Sequence, residues 1–292
     1  MKKVLVTGSC GFTGHYVCQL FREQGYTVVG LAYDNLKEGD VTCDLTDEDA
    51  VHEIVKKVRP DGVIHLAALS FVEHEDQTAF YKVNIFSVLN LLSALEAENL
   101  KLDKFIVASS ANVYGNPDVE VIDEKIEPNP INHYAASKLA MEFMVKIWFP
   151  RFPIIITRPF NYTGPGQDEI FLVPKIISHF RKREKLIELG NLDVSRDISD
   201  VRDIAQCYLK LYESDTRSSI INLCSGRTIK LRKIIDMMNQ IAGYDIKIVI
   251  NNDYIRENEI ILLWGNNNKL RSLIGFVPSI PLMDTMKSMF DA

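Results

Sequence analysis

Short apolar runs alternate with stretches in which apolar positions recur every three or four residues, and this alternation organises the first half of the chain. Val4-Leu5-Val6 centres a strand over 3–7, and a helix is predicted over 15–24 with Val17, Leu20 and Phe21 on one face. A strand at 27–31, a helix at 47–58 opened by Asp47 and stopped ahead of Pro60, and a strand at 63–66 follow. A long helix spans 78–98, its apolar face supplied by Val83, Phe86, Leu89, Leu91 and Leu92. Then come a strand at 105–108, a helix at 133–148 and a strand at 154–157. Strands that are apolar throughout, separated by helices, predict a parallel sheet covered on both faces. Beyond residue 158 the alternation loosens into a Gly/Pro turn at 161–167, a helix at 172–182 interrupted at its start by Pro174, and helices at 201–212 and 231–242. The expected architecture is an α/β doubly wound parallel sheet over residues 1–160 with a smaller C-terminal α/β lobe over 161–292. The two are expected to interleave, because Ile220-Ile221-Asn222-Leu223 reads as a further strand of the sheet.

The turn after the first strand narrows this reading. Gly8-Ser9-Cys10-Gly11-Phe12-Thr13-Gly14 sets glycines three apart, a variant of the dinucleotide fingerprint. Such a turn lets the backbone approach a pyrophosphate and aims a helix N-terminus at it. An acid at the end of the second strand would bond an adenosine 2′-hydroxyl, and an arginine there would favour a 2′-phosphate. Here Leu31 is followed by Ala32 and Tyr33, with Asp34 one step on, so NADPH is favoured over NADH, or both are used. Asp44 is placed either to meet the adenine amino group or to start the next helix.

Tyr134 and Lys138 are one helical turn apart and share a face. A free phenol has a pKa of about 10, and a neighbouring ammonium is expected to bring it toward working pH. Ser109-Ser110-Ala111-Asn112 follows a strand, which puts Ser110 where it can bond a carbonyl. The pieces of a proton-transfer site therefore follow a dinucleotide turn in one chain. His65 belongs to a strand end, His133 is placed to line the site, and no histidine sits at metal-ligand spacing. The five cysteines are scattered with no C-x-x-C pair, which predicts reduced thiols in a cytoplasmic protein and no zinc. A net charge of −6 argues against nucleic acid or an anionic membrane as partner, so an anionic ligand must be held by local cations and backbone N–H groups. No secretory leader is read, and no apolar stretch is expected to reach the ~20 residues that cross a bilayer.

On these motifs the chain resembles the extended short-chain dehydrogenase/reductase family, which acts on nucleotide sugars, and the likeness covers nearly the whole length. The resemblance implies that Gly8, Gly11, Phe12, Thr13 and Gly14 surround the cofactor pyrophosphate and that Asp44 and Leu45 lie at adenine. His65-Leu66-Ala67-Ala68 resembles the family's cofactor-lining strand end, contributing Leu66, Ala67 and Ala68. Arg158-Pro159-Phe160-Asn161-Tyr162-Thr163-Gly164-Pro165-Gly166-Gln167 resembles its substrate turn, with Asn161 at the diphosphate. Arg196 leads a segment, through Asp203, whose arginine contacts a phosphate in the family. Arg256-Glu257-Asn258-Glu259, ahead of Leu263-Trp264-Gly265, resembles the GDP-sugar branch, where the arginine grips the diphosphate and the glutamate the guanosine ribose. Val173 and Lys175 fit that branch, and Ser70 is a further implied substrate contact. The alternative for either arginine is a surface salt bridge.

What the resemblance implies is reduction of the C4 ketone of a GDP-4-keto-6-deoxy hexose by NAD(P)H. Tyr134 would be the general acid, with Ser110 and Lys138 completing the site, and the product would be a GDP-6-deoxyhexose such as GDP-rhamnose, a precursor of surface polysaccharide. A 4,6-dehydratase needs a further acid–base group just after the serine, and Ala111 and Asn112 stand there instead. A 4-epimerase with tightly bound cofactor is the alternative enzyme. A silent NAD(P)-binding regulator has no need of an activated phenol. The family's mode of association implies a homodimer through the helices at 78–98 and 133–148.

Overall fold

Seven parallel strands carry the apolar runs. The structure, a computed structural model, describes residues 1–33, 39–70, 76–255 and 259–292. The first half of the chain runs β1 (Lys3–Thr7), α1 (Phe12–Glu23), β2 (Thr27–Ala32), β3 (Asp40–Thr42), α2 (Glu48–Val58), β4 (Gly62–His65), α3 (Gln77–Tyr81), a π-helical segment (Lys82–Phe86), α4 (Ser87–Ala97), β5 (Lys104–Ala108), a 3-10 turn (Ala111–Tyr114), α5 (His133–Lys146) and β6 (Ile154–Pro159). The second half adds β7 (Asn161–Thr163), α6 (Leu172–Arg181), β8 (Leu186–Leu189), β9 (Ser195–Asp200), α7 (Val201–Glu213), β10 (Ser219–Leu223), β11 (Thr228–Lys230), α8 (Leu231–Ala242), β12 (Lys247–Ile250), β13 (Leu262–Leu263), α9 (Asn268–Ile274) and α10 (Leu282–Asp291).

The main sheet has the order β10-β6-β5-β4-β1-β2-β3. Its alternating side chains feed two cores. Leu5, Val63, Phe105, Val107, Ile154 and Ile156 face α2, α4 and α5, while Val4, Val6, Ile64, Ile106 and Ile155 face α1 and α7. Both faces are dry, which is why these strands read as unbroken apolar runs. The strand expected at 220–223 is present as β10, the outermost strand beside β6. A third core, containing Val173, Ile177, Phe180, Ile234 and Met238, lies between α6, α8 and the small β8–β12 pair. A short second sheet, β11-β9-β13, takes β7 as an extra partner of β9.

The structure differs from the sequence expectation at four points. α1 begins at Phe12, with Gly11 as its N-cap, so the helix starts inside the glycine motif. Pro174 falls in the first turn of α6, where a missing N–H costs nothing, and the helix is unbroken. The helix expected at 78–98 contains a π-helical turn. Against expectation, the run Gln77–Ala97 is long and apolar enough, by length and composition, to cross a bilayer. Val88, Leu91, Leu92 and Leu95 of that run are instead buried in the core.

Candidate active site

β1 and β4 are neighbours in the sheet, but the chain leaves them toward opposite sides, β1 to β2 and β4 to β5. The crevice above their C-terminal ends is the switch point where α/β sheets bind ligands. The glycine turn is built to its spacing. Gly8 has φ +68, and a Cβ there would lie 2.9 Å from the Ala67 nitrogen. A Cβ on Gly14 would lie 2.0 Å from the Gly8 oxygen, so the helix packs directly on the turn. Gly11 caps α1 without a side-chain bond, leaving the first helical N–H groups facing the crevice. The residues therefore fit a dinucleotide pyrophosphate.

The strand end after β4 is fixed from below. Thr7 Oγ1 pairs with His65 Nδ1 at 2.8 Å and accepts from the Ala67 N–H at 3.2 Å, and Ser87 Oγ pairs with His65 Nε2 at 3.3 Å. Burial, with Lys138 nearby, pushes the His65 pKa down to about 3, so it is a neutral tether. His133 is exposed and pairs with the Tyr81 hydroxyl at 2.9 Å.

Ser110, Tyr134 and Lys138 converge beside this end. Ser110 lies two residues past β5, where it caps the 3-10 turn by accepting from the Asn112 N–H at 3.1 Å. Asn132 caps α5 by accepting from the Ala135 N–H at 2.8 Å, which starts the helix so that Tyr134 and Lys138 fall in its first two turns. The Lys138 ammonium donates to the Ala108 carbonyl at 2.8 Å, tying the helix to the end of the strand that leads into Ser110. Burial raises the Tyr134 pKa to about 12, the Ser110 hydroxyl pulls it down, and Tyr162 adds to the rise. The expectation that Lys138 would lower this phenol is not met, because the ammonium is spent on Ala108 and lies next to Glu142. Burial instead keeps Tyr134 protonated, which suits a proton donor. Lys138 itself is lowered to about 8 by burial, with Glu142 opposing the fall.

Several partners escaped the sequence reading. Glu142 continues the four-residue ladder from Tyr134 and Lys138, a spacing signal that was available. Its carboxylate accepts from Ser109 Oγ at 2.6 Å and from Arg158 Nε and Nη2 at 2.8 and 2.6 Å, all of them buried. Asn84, in the π-helical segment, accepts from the Leu69 N–H at 3.0 Å and donates to Ser137 Oγ at 3.0 Å. That one side chain joins the cofactor-lining segment to α5, and nothing in its sequence context signals it. Tyr162 pairs with Thr13 Oγ1 at 2.7 Å and stacks on Phe12, docking the substrate turn on α1.

The remaining expected residues are spread around this centre. Asp44 accepts from the Thr46 N–H at 2.9 Å in a local turn, while Asp47 caps α2, and Leu45 packs on the first core. Ser70 and Asn161 are exposed, and Val173 is buried in the lobe core. Lys175 Nζ lies 4.5 Å over the Tyr254 ring. Arg196 donates to the Ser195 and Ile261 carbonyls at 2.9 and 3.3 Å. The three aspartates of its segment are structural ties: Asp197 holds the Ser225–Gly226 turn, Asp200 holds Arg202 and Thr285, and Asp203 holds the Ser279 and Ile280 N–H groups. Glu259 has a buried carboxylate oxygen, Oε2, with no hydrogen-bond partner among the described residues. Arg256 and Asp34 lie outside the described residues.

The profile of the GDP-mannose 4,6-dehydratase family matches residues 5–289. The chain is 34% identical over 274 residues to GDP-6-deoxy-D-talose 4-dehydrogenase of Aggregatibacter actinomycetemcomitans, covering 94% of this chain and 91% of that one. It is 30% identical over 298 residues to GDP-6-deoxy-D-mannose reductase of Pseudomonas aeruginosa, covering 98% and 95%. The structure of RMD from Pseudomonas aeruginosa complexed with NADPH superposes with a TM-score of 0.86 at 28% identity, covering 100% of this chain and 98% of that one.

Proposed function

The chain belongs to the GDP-mannose 4,6-dehydratase family of NAD(P)-dependent short-chain dehydrogenases/reductases, and from that premise we propose that it reduces the C4 ketone of a GDP-linked 4-keto-6-deoxyhexose. The observation that carries this reading is the composition around Ser110. A dehydratase needs an acid–base group just beyond it, and Ala111 and Asn112 stand there. Glu142 is close but is bound by Arg158 and Ser109. What remains is one protonated phenol, and reduction of a ketone requires no more.

When bound, the reduced nicotinamide supplies the hydride to C4. Tyr134 delivers its proton to the oxygen that becomes the alcohol, a role typically worth about 10²–10⁴-fold in rate. Ser110 bonds the same oxygen and positions it. Lys138 holds the nicotinamide ribose. Arg196 and Arg256 grip the diphosphate, and the partnerless oxygen of Glu259 accepts from a ribose hydroxyl. At the adenosine end β2 stops at Ala32, followed by Tyr33 with no acid, which favours NADPH.

The test follows absorbance of the reduced nicotinamide while purified protein is mixed with GDP-4-keto-6-deoxy-mannose, with GDP-mannose as control. Consumption is expected with the ketone only. The reverse reaction should appear with GDP-6-deoxy-talose or GDP-6-deoxy-mannose and the oxidised cofactor. Tyr134→Phe is expected to lower kcat by at least about 100-fold while leaving the cofactor Kd within about twofold. Turnover of GDP-mannose to a keto sugar without added reductant would replace the reading by dehydration.

A further inference from the structure

We infer that Arg158 is a positioning residue for the proposed reduction: by filling the Glu142 carboxylate it keeps the Lys138 ammonium turned toward the crevice. The inference rests on the reading that Lys138 serves a nicotinamide dinucleotide there.

Lys138 and Glu142 stand one turn apart on α5, and both are buried. Opposite charges at that spacing attract, and more strongly where water is excluded. Here they do not pair. The Lys138 ammonium donates to the Ala108 carbonyl at the C-terminal end of β5, and the salt bridge that Glu142 makes among the described residues is with Arg158. The carboxylate is already filled. Oε1 accepts from Ser109 Oγ at 2.6 Å and from Arg158 Nε at 2.8 Å, and Oε2 accepts from Arg158 Nη2 at 2.6 Å. A guanidinium can engage both oxygens in this way and an ammonium cannot.

Arg158 belongs to β6, the strand beside β5, and is 2% exposed. Its guanidinium carbon lies 4.7 Å over the Tyr114 ring, and Tyr114 donates to Asn222 Oδ1 at 2.7 Å. Asn222 is the β10 residue in register with Arg158. The ring covers the guanidinium, and β10 holds the ring. Burying an ion pair costs its desolvation, and apolar residues of similar volume commonly serve stability as well, so stability alone does not account for it. A bare carboxylate would hold Ser109 but would also draw in the ammonium one turn away. Arg158 removes that competition and leaves the negative charge close enough to support the Lys138 proton.

No other group nearby competes in this way. Tyr134 on the same helix stays protonated to about 12, and His65 on β4 is neutral above about 3. Of the elements packed on α5, α3 carries Tyr81, which pairs with His133, and the π-helical segment carries the exposed Lys82. α4 carries Glu96, which pairs with Arg151, and Lys104 lies at the far end of β5.

The test follows the ε-carbon NMR resonance of Lys138, identified by its loss in Lys138→Arg, through a pH titration of the protein without substrate. Kd for NADH and NADPH and kcat for the ketone are measured beside it. The wild type is expected to titrate at about 8. Arg158→Lys keeps the charge but engages one oxygen, so Lys138 turns to the other. Its midpoint is expected to rise by at least about one pH unit, with the dinucleotide Kd raised and kcat lowered about tenfold. Arg158→Met with Glu142→Gln removes both charges and keeps an acceptor for Ser109. Dinucleotide Kd and kcat are then expected to stay within about threefold of the wild type, because Lys138 has no carboxylate to turn to. A folded Arg158→Lys protein whose Lys138 titrates as in the wild type overturns the proposal. So does a folded double variant whose dinucleotide Kd weakens by more than about threefold. Should one of the two fail to fold, the other decides alone. Wild type that binds dinucleotide but leaves the ketone unreduced overturns the reduction alone, and the midpoint and Kd still decide the role of Arg158.

Discussion

Burying an ammonium group weakens its hold on its proton, and Lys138 is lowered to about 8, close to working pH. The charged and titratable groups around it are few. Glu142 lies one turn on and opposes the fall, His65 faces it from β4 and is neutral above about 3, and Tyr134 stays protonated to about 12. If the ammonium is the working form, kcat/KM for the ketone should be level through neutrality and fall as pH rises through about 8. Glu142→Gln removes the charge that supports the proton, so the limb should move to lower pH, while Lys138→Arg should abolish it. The sign for stability is opposite. The folded state binds this proton less tightly than the unfolded chain, so stability contributed by this group rises between about 8 and the unfolded value near 10.5. A pH–rate profile set beside denaturation curves over that range checks both, and activity and stability moving in the same direction would assign the limb to another group.

The elements that hold Lys138 in place differ in how openly the sequence announces them. The six strands that are apolar throughout and the glycine turn were legible because burial on both faces and a positive φ at Gly8 impose strict residue types. The short strands β8, β9, β11 and β12 were not, because they are half-exposed and carry charged residues such as Arg196, Asp197 and Lys247. The π-helical segment was invisible as well, since one extra residue in a turn leaves the apolar spacing of 78–98 almost intact. Its effect is to place Asn84 between Leu69 and Ser137. Ser137 in turn donates to the Tyr134 carbonyl at 2.8 Å. Asn84→Ala should therefore leave the part-buried Leu69 N–H and the buried Ser137 hydroxyl each one partner short, costing about 2 kcal/mol, and should loosen the cofactor-lining segment against α5. The expected kinetic outcome is a raised KM for NAD(P)H together with a kcat lowered about tenfold. Steady-state kinetics with urea denaturation measure both, and a stability loss with unchanged kinetics would make the tie purely structural.

The helix that carries the site also offers its other face to solvent. α5 presents Tyr134 and Lys138 inward, while Phe143 is 59% exposed and Ile147, one turn on, is 70% exposed. Phe86 and Met144 are exposed beside them, and α5 packs against both α4 and the π-helical segment. Large apolar side chains clustered in this way mark a surface that is covered in solution. We propose that a second copy covers it, joining the two helices of each subunit in one bundle, an isologous contact that closes as a dimer. The arrangement would put subunit contact directly behind the catalytic helix, so association and catalysis are not independent. Phe143→Asp with Ile147→Asp changes only residues on the outward face. The pair is expected to halve the mass seen by sedimentation, and to reduce kcat by less than about tenfold, because the crevice itself is assembled within one chain. A wild-type protein that sediments as a monomer at micromolar concentration would remove the partner from this face. A double variant that stays dimeric would move the contact elsewhere.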